Sequence, residues 1–313
     1  MRPAVFPHPP FPEHALLDSG DGAKLERFGA VTLVRPDPQA IWSRRRPGAW
    51  RDADLVFERD PRSEGKAGRW KAAKGAPPEA RGRSAEWPVR FGDATFLVRP
   101  TPFKHVGLFP EQAANWRWVT ALAAELEPGA KLLNLFGYTG AATVLAAQAG
   151  YRVTHVDASK TSLTWARENA RASGLPDDAV RFLLEDARTF AQREVRRGNR
   201  YAGILVDPPH YGRGPKGEKW QLEDHLAGMF ADVAALVEER AFVCLSAYAV
   251  GLLPTAFTNL IEGRPELAGG AVHAGELALP EEPGDAPARV LSCGMCARWS
   301  RGLRDVDPAG ERA

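Results

Sequence analysis

Apolar positions in the second half of the chain fall into short, nearly continuous runs at 132–136, 152–156, 180–184, 202–206 and 241–245. Runs of that length without alternation are the pattern of strands covered on both faces, as in a parallel sheet. Helical spacing occupies 141–148, 162–172, 188–197, 225–237 and 254–261, with a further helix predicted at 113–126, before Pro128-Gly129. Two β-like runs, 272–279 and 289–298, close the pattern as an antiparallel pair. Five βα units and a terminal hairpin predict an α/β, doubly wound, mostly parallel seven-stranded sheet. The first hundred residues read differently. Short β runs at 31–35, 55–58, 87–91 and 95–99, with a turn at Gly92-Asp93, predict a small antiparallel β-rich domain. Residues 1–15 read as an extended arm, and 66–86, rich in Lys, Arg, Gly, Pro and Ala, as an exposed mobile loop. The expected organisation is therefore 1–100, 101–300 and a tail at 301–313.

The run at 132–136 breaks at Gly137 and Gly140, where the backbone can turn and approach a ligand. Thr139 is placed to cap the following helix, and the next strand ends at Asp157. Strand, glycine loop, helix, strand and acid make a nucleotide-cradling unit, the acid accepting ribose hydroxyls. Two glycines are one short of the dinucleotide fingerprint, and no Walker lysine follows. A nucleoside ligand without phosphates suits such a loop, and S-adenosylmethionine (SAM) is one. An ordinary ligand-free crossover is the plain alternative.

Strand ends supply further candidates. Asp186 with Ala187 is placed to face an adenine, although acids at strand ends also arise as helix caps. Asp207-Pro208-Pro209-His210-Tyr211 follows the fourth strand. The two prolines fix the backbone and free its carbonyls, so Asp207 and the Pro208 carbonyl can hold an acceptor amine. Tyr211 or His210 can stack on a flipped base. Arg213, Lys216 and Lys219, in the basic glycine-rich loop that follows, are candidate phosphate contacts.

Composition narrows the class. The 313 residues are 44% hydrophobic, with three cysteines and a net charge of +2. No apolar run reaches the ~18 residues of a membrane span, and the proline-rich start lacks a signal peptide's apolar core. Three cysteines make no disulfide framework, which points to the cytoplasm. Cys244 reads as a buried strand thiol rather than the nucleophile that cytosine C5 methylation requires. Cys293-Gly-Met-Cys296 has no second pair, and no metal is expected. Basic residues dominate 40–90, with Trp42, Trp50, Trp70 and Trp87 interleaved. That stretch reads equally as a nucleic-acid surface or as solvated arginines over a tryptophan core.

With these residues in place, the segment from Phe103 to Arg298 resembles the class I SAM-dependent methyltransferases related to the bacterial large-subunit ribosomal RNA enzymes. The likeness rests on Asn134-Leu-Phe-Gly-Tyr-Thr-Gly140, Val156-Asp-Ala-Ser-Lys160, Trp165-Ala-Arg-Glu-Asn169 and Leu205-Val-Asp-Pro-Pro209. Lys104-His-Val-Gly-Leu-Phe-Pro-Glu-Gln112 resembles the family's approach to its cofactor, which implies that Phe109 and Gln112 lie near SAM. The resemblance implies a Rossmann-like methyltransferase domain, with SAM as cofactor and S-adenosylhomocysteine as product. Its cofactor set is Phe109, Gln112, Asn134, Phe136, Gly137, Tyr138, Thr139, Gly140, Asp157, Ala158, Ser159, Asp186 and Ala187. Members acting at cytosine C5 carry a cysteine after the fifth strand. Here Leu245-Ser-Ala-Tyr248 has Ala247 there, which argues for another acceptor.

The function expected is methyl transfer to a base of structured RNA, ribosomal RNA first. Its rivals are a methyltransferase for a small molecule or protein and a non-catalytic SAM-binding RNA assembly factor. A dehydrogenase is disfavoured by the missing third glycine and the terminal hairpin.

Overall fold

The computed structural model describes residues 4–63, 67–248, 251–284 and 287–304. Lys66 of the basic stretch, the first three residues and the tail beyond Arg304 lie outside the described residues. The chain forms two compact units. One contains Gln112–Leu277 with the segments before Pro10 and from Gly294 onward; the other contains Pro10–Glu111 and Ala278–Cys293.

The opening residues are not simply an arm, because they contribute β1 (Val5–Phe6) to the large sheet of the first unit. The second unit holds β2 (His14–Gly20), β3 (Ala23–Phe28), β4 (Val31–Pro36), α1 (Pro47–Arg51), β5 (Leu55–Arg59) and β6 (Gly68–Ala72). Its remaining strands, β7 (Trp87–Phe91) and β8 (Ala94–Val98), form a separate hairpin. The five-stranded sheet runs β2-β3-β4-β5-β6. It is mixed rather than antiparallel, since β4 and β5 pair parallel across the α1 connection.

β2 and β3 escape a hydrophobicity reading because Asp18, Lys24 and Glu26 stand among their buried positions. Glu26 is fully buried and receives two bonds from Arg35, at 2.6 and 3.0 Å. Lys24 lies 3.4 Å from Asp37 and 3.7 Å from Glu26, and the His14 ring is 3.3 Å from Glu26. Burial taken alone raises a carboxyl's pKa. Here Arg35 and Lys24 together outweigh that effect and hold Glu26 well below 4.5.

The described part of the 66–86 stretch, from residue 67, is exposed over much of its length but is not all loop. β6 pairs with β5, Glu58 opposite Arg69, and a Cβ on Gly68 would stand 2.3 Å from the Glu58 carbonyl. Ala76 and Ala80 are buried beyond it. Of the interleaved tryptophans, Trp50 and Trp87 are buried, and Trp42 and Trp70 are half-buried. Trp42, Trp50, Trp70 and Trp87 donate their indole N–H groups to the Ser19 carbonyl, Asp18, the Thr101 carbonyl and the Phe28 carbonyl.

The first unit starts its helices with α2 (Ala113–Leu122) and continues β9 (Lys131–Leu135), α3 (Ala141–Gln148), β10 (Arg152–Asp157), α4 (Lys160–Ala172) and β11 (Val180–Leu184). Next come α5 (Ala187–Arg196), β12 (Tyr201–Val206), the short β13 (Tyr211–Arg213) and β14 (Lys219–Gln221), and α6 (Leu222–Ala234). β15 (Val237–Ala247), α7 (Pro254–Glu262), β16 (Ala271–Pro280) and β17 (Val290–Arg301) follow, the end of β16 from Ala278 and the start of β17 through Cys293 falling in the second unit. The strand order is β1-β16-β17-β15-β12-β9-β10-β11. β15 through β11 are parallel, β17 runs antiparallel to β15, and β1 adds an eighth strand beside β16.

Successive residues of the central strands feed opposite cores, as a two-residue period requires. Leu133, Leu135, Ile204 and Val206 pack with Phe190, Met229 and Phe230. Leu132 and Leu205 pack with Trp118, Val119 and Phe242. The chain reverses its direction of winding between β9 and β12, and ligands of open α/β sheets bind beyond the strand ends at such a point.

Glu26→Gln should destabilise the second unit by about 3–5 kcal/mol in denaturant unfolding at neutral pH, because it leaves Arg35 and Lys24 buried without their anion. A carboxyl depressed by folding contributes fully above its ordinary pKa and loses that contribution as pH falls. The wild type should therefore lose stability as pH drops below 4.5, and the Gln variant should lose less of it.

Candidate active site

β9 and β12 pair with Leu135 opposite Val206, so Phe136 and Asp207 leave the sheet side by side. The loop after β9 carries two non-glycine residues in the left-handed region, Phe136 at φ 58° and Tyr138 at φ 49°, before Gly140 at φ 82°. Such backbone persists only where its surroundings fix it. Gly137 N–H donates to the Val156 carbonyl at 3.1 Å, and Tyr138 N–H to Asp157 Oδ2 at 2.8 Å. Asn169 Nδ2 donates to the Thr139 carbonyl at 2.8 Å.

Gly137 is required for room rather than for its φ angle. A Cβ there would lie 2.4 Å from Cε1 of His155. That ring is fully buried on β10, with Nδ1 2.9 Å from Thr143 Oγ1. Thr143 Oγ1 in turn accepts from Asn134 Nδ2 at 2.8 Å. Burial, aided by the charge of Arg167, lowers the His155 pKa to about 3, so it is a neutral prop beneath the loop. Asn134, expected at the cofactor, directs its amide to this prop.

Thr139 does not cap α3. The cap position is Gly140, without a side-chain bond, and Thr139 is buried beneath it. A left-handed residue at that point turns the chain into the helix where threonine would be strained. Asp157 receives Tyr138 N–H on one oxygen and Ser159 N–H, at 2.7 Å, on the other, while burial raises its pKa. Each oxygen retains a lone pair for a further donor. Ala158 follows it half-buried, and Ser159 caps α4 by accepting from Ser162 N–H at 3.2 Å. Asp186 caps α5 with one oxygen, which receives both Thr189 N–H and Thr189 Oγ1–H at 2.8 Å, with Ala187 buried behind it. Phe109 belongs to the other unit, half-buried with its ring 5.1 Å from that of His105.

Beyond β12, Gln112 Nε2 donates to Asp207 Oδ2 at 3.3 Å and to the Tyr248 hydroxyl at 3.0 Å. Asn115 Nδ2 donates to Gln112 Oε1 at 2.7 Å, and Asn115 Oδ1 accepts from Arg298 Nε at 2.9 Å. The buried Arg298 guanidinium lies 4.1 Å from the Phe6 ring. A chain of oriented amides thus runs from a buried cation to the carboxylate after β12. His210 is engaged by Glu223 at 2.9 Å, whereas Tyr211 is 54% exposed.

The basic loop is a two-stranded ribbon. Tyr211 pairs with Gln221, Gly212 with Trp220 and Arg213 with Lys219. The pleat therefore puts Tyr211, Arg213, Lys219 and Gln221 on one face, all exposed, and buried Trp220 on the other. Lys216, also exposed, sits at the turn. Cys244 is buried with Sγ 3.7 Å from that of Cys296, and this sulfur partner and burial raise its pKa well above a reactive thiol's.

Sequence reading missed Asn115, His155, Trp220 and Tyr248. Tyr248 stood in plain view at the end of the fifth strand. The other three act on loops distant in sequence and carry no local signal.

No protein-family model matches the chain. The crystal structure of the SAM-dependent methyltransferase from Agrobacterium tumefaciens is similar at a TM-score of 0.87 and 40% identity, covering 96% of this chain and 94% of that one. A Streptococcus mutans structure described as a SAM-dependent methyltransferase shares the fold at a TM-score of 0.69 and 17% identity, covering 92% and 75%. Ribosomal RNA large subunit methyltransferase K/L of Syntrophotalea carbinolica is 37% identical over 131 residues, and that of Alteromonas mediterranea 32% over 155. These stretches are 41% and 49% of this chain but 17% and 21% of those proteins, so the chain spans only a small part of the curated relatives' length.

Gly137→Ala should abolish measurable SAM binding by calorimetry, because neither the buried His155 ring nor the loop can yield to the added Cβ. In a His155→Ala background the same substitution should regain part of the affinity.

Proposed function

The chain belongs to the SAM-dependent methyltransferases, and from that premise we propose that its methyl acceptor is a base of structured RNA, ribosomal RNA first. The loop fits the cofactor's chemistry: a tight backbone cradle and an acid with lone pairs to spare, without a lysine for phosphates. Phe136–Gly140 and Asp157–Ser159 would hold the methionine and ribose portions, and Asp186 with Ala187 the adenine. Gln112 and Asn134 complete that set. We assign the work to the cytoplasm, where the chain's three free thiols stay reduced. Among the described residues no helix is long and apolar enough to cross a membrane.

The observation that carries the RNA reading is the ribbon directly after Asp207-Pro-Pro. Its exposed face sets one aromatic ring beside two cations, the combination that stacks a base and neutralises phosphates. The names of the curated relatives point the same way.

The bound cofactor supplies an electrophilic methyl group on a positively charged sulfur. The protein's part is alignment, which accounts for most of the rate gain in a direct displacement. Asp207, oriented by Gln112, and the Pro208 carbonyl would accept hydrogen bonds from the acceptor and aim its lone pair. Tyr211 would stack on the base, and Arg213, Lys216 and Lys219 would hold the flanking phosphates.

Bulk RNA from cells lacking this protein, incubated with methyl-labelled SAM, should yield one labelled nucleoside. Asp207→Ala should lower the rate about 100-fold, the scale expected from lost alignment. Unlabelled RNA with SAM still bound would rule out the RNA reading. Arg213→Ala and Lys219→Ala should each weaken RNA binding and lower its salt slope by about 1, leaving SAM affinity unchanged.

A further inference from the structure

We propose that Trp220 is a positioning residue that couples the cofactor loop to the acceptor loop, so that SAM binding sets the geometry in which the acceptor is received. This rests on the assignment of Phe136–Gly140 and Asp207–Pro209 to those two roles, but not on RNA being the acceptor.

Trp220 is 4% exposed, and three of its contacts reach three separate segments. The ring meets that of Phe136 with centroids 5.0 Å apart and planes at 57°. Its Nε1–H donates to the Pro209 carbonyl at 2.6 Å. It also stacks on His225, centroids 5.7 Å apart at 29°. The ribbon strand opposite is seated on the same prolines, since a Cβ on Gly212 would lie 3.4 Å from Pro209 Cγ. Leu222 N–H donates to the His210 carbonyl at 3.0 Å and closes the ribbon's base.

An ordinary core tryptophan needs only apolar packing and any nearby acceptor. This one rests on a residue held at φ 58°, a conformation that persists only under external constraint. Its N–H selects one of two adjacent prolyl carbonyls. With the Pro209 oxygen engaged, the Pro208 oxygen is the one left to face an acceptor. The ring is therefore a link between both reactants' loops, and it fixes the ribbon whose outer face carries Tyr211, Arg213 and Lys219.

The test compares Trp220→Phe, which keeps a ring but lacks the N–H, with Trp220→Leu, which lacks both. Three quantities are measured: SAM affinity by calorimetry, SAM-dependent amide exchange at 136–140 and 207–213, and kcat with KM on the RNA substrate. In the wild type, SAM should slow exchange in both segments. Trp220→Phe should keep its SAM affinity within about twofold and its melting temperature, lose protection at 207–213, and drop kcat about tenfold with little change in KM. Trp220→Leu should also bind SAM about tenfold more weakly.

A Trp220→Phe protein with wild-type kcat and wild-type protection at 207–213 would overturn the proposal. So would losses that follow a falling melting temperature, which a merely structural role predicts. If the wild type methylates no RNA, the RNA reading fails, and the exchange measurement, which needs no acceptor, still decides the coupling.

Discussion

The site depends on one constraint: β9 and β12 must lie side by side, in register, at the point where the sheet changes its direction of winding. Leu135 opposite Val206 is the last pair of that register. One step beyond, the glycine loop begins on one strand and Asp207 stands on the other. Slippage by one residue would exchange the two core faces of the strand that slipped. The packing of Leu133, Leu135, Ile204 and Val206 against one helical layer, and of Leu132 and Leu205 against the other, therefore also places the chemistry.

Both loops are fixed from within. A neutral, buried His155 props the glycine loop at Gly137, and Asp157 ties down Tyr138 through its backbone. Gln112, Asn115 and Arg298 orient Asp207 through a run of side-chain amides. Buried amide networks of this kind are directional, so they hold a carboxylate in one rotamer more firmly than apolar packing does. Asp186, by contrast, is anchored as a helix cap, and only its remaining lone pairs are left for a ligand.

The second unit solves a different problem. Its first three strands bury Asp18, Lys24, Glu26 and Arg35; the last three pair with one another, and Asp18 accepts from the Trp50 N–H. Asp18 alone accepts from Arg45 N–H, Arg46 N–H, Trp50 and Arg289. A buried charge stripped of its partner is strongly destabilising, so these pairings constrain the unit tightly. The bond to Asp18 also ties Trp50, one of the four tryptophans of the basic stretch, into the interior.

Sequence alone determined the parallel sheet, its terminal hairpin, the glycine loop and the acids at the strand ends. Those signals are local: apolar runs covered on both faces, glycines at a break, an acid or Asp-Pro-Pro where a strand stops. Sequence alone misplaced β2, β3 and β6, because buried charges and an arginine-lysine edge strand disguise the alternation on which such a reading rests. Tertiary structure decided the rest. His155 reads as one more residue of a strand, Asn115 as one more of a helix, and Trp220 as part of a basic loop. Each acquires its role through a contact with a segment far along the chain, and a contact of that kind leaves no periodicity behind.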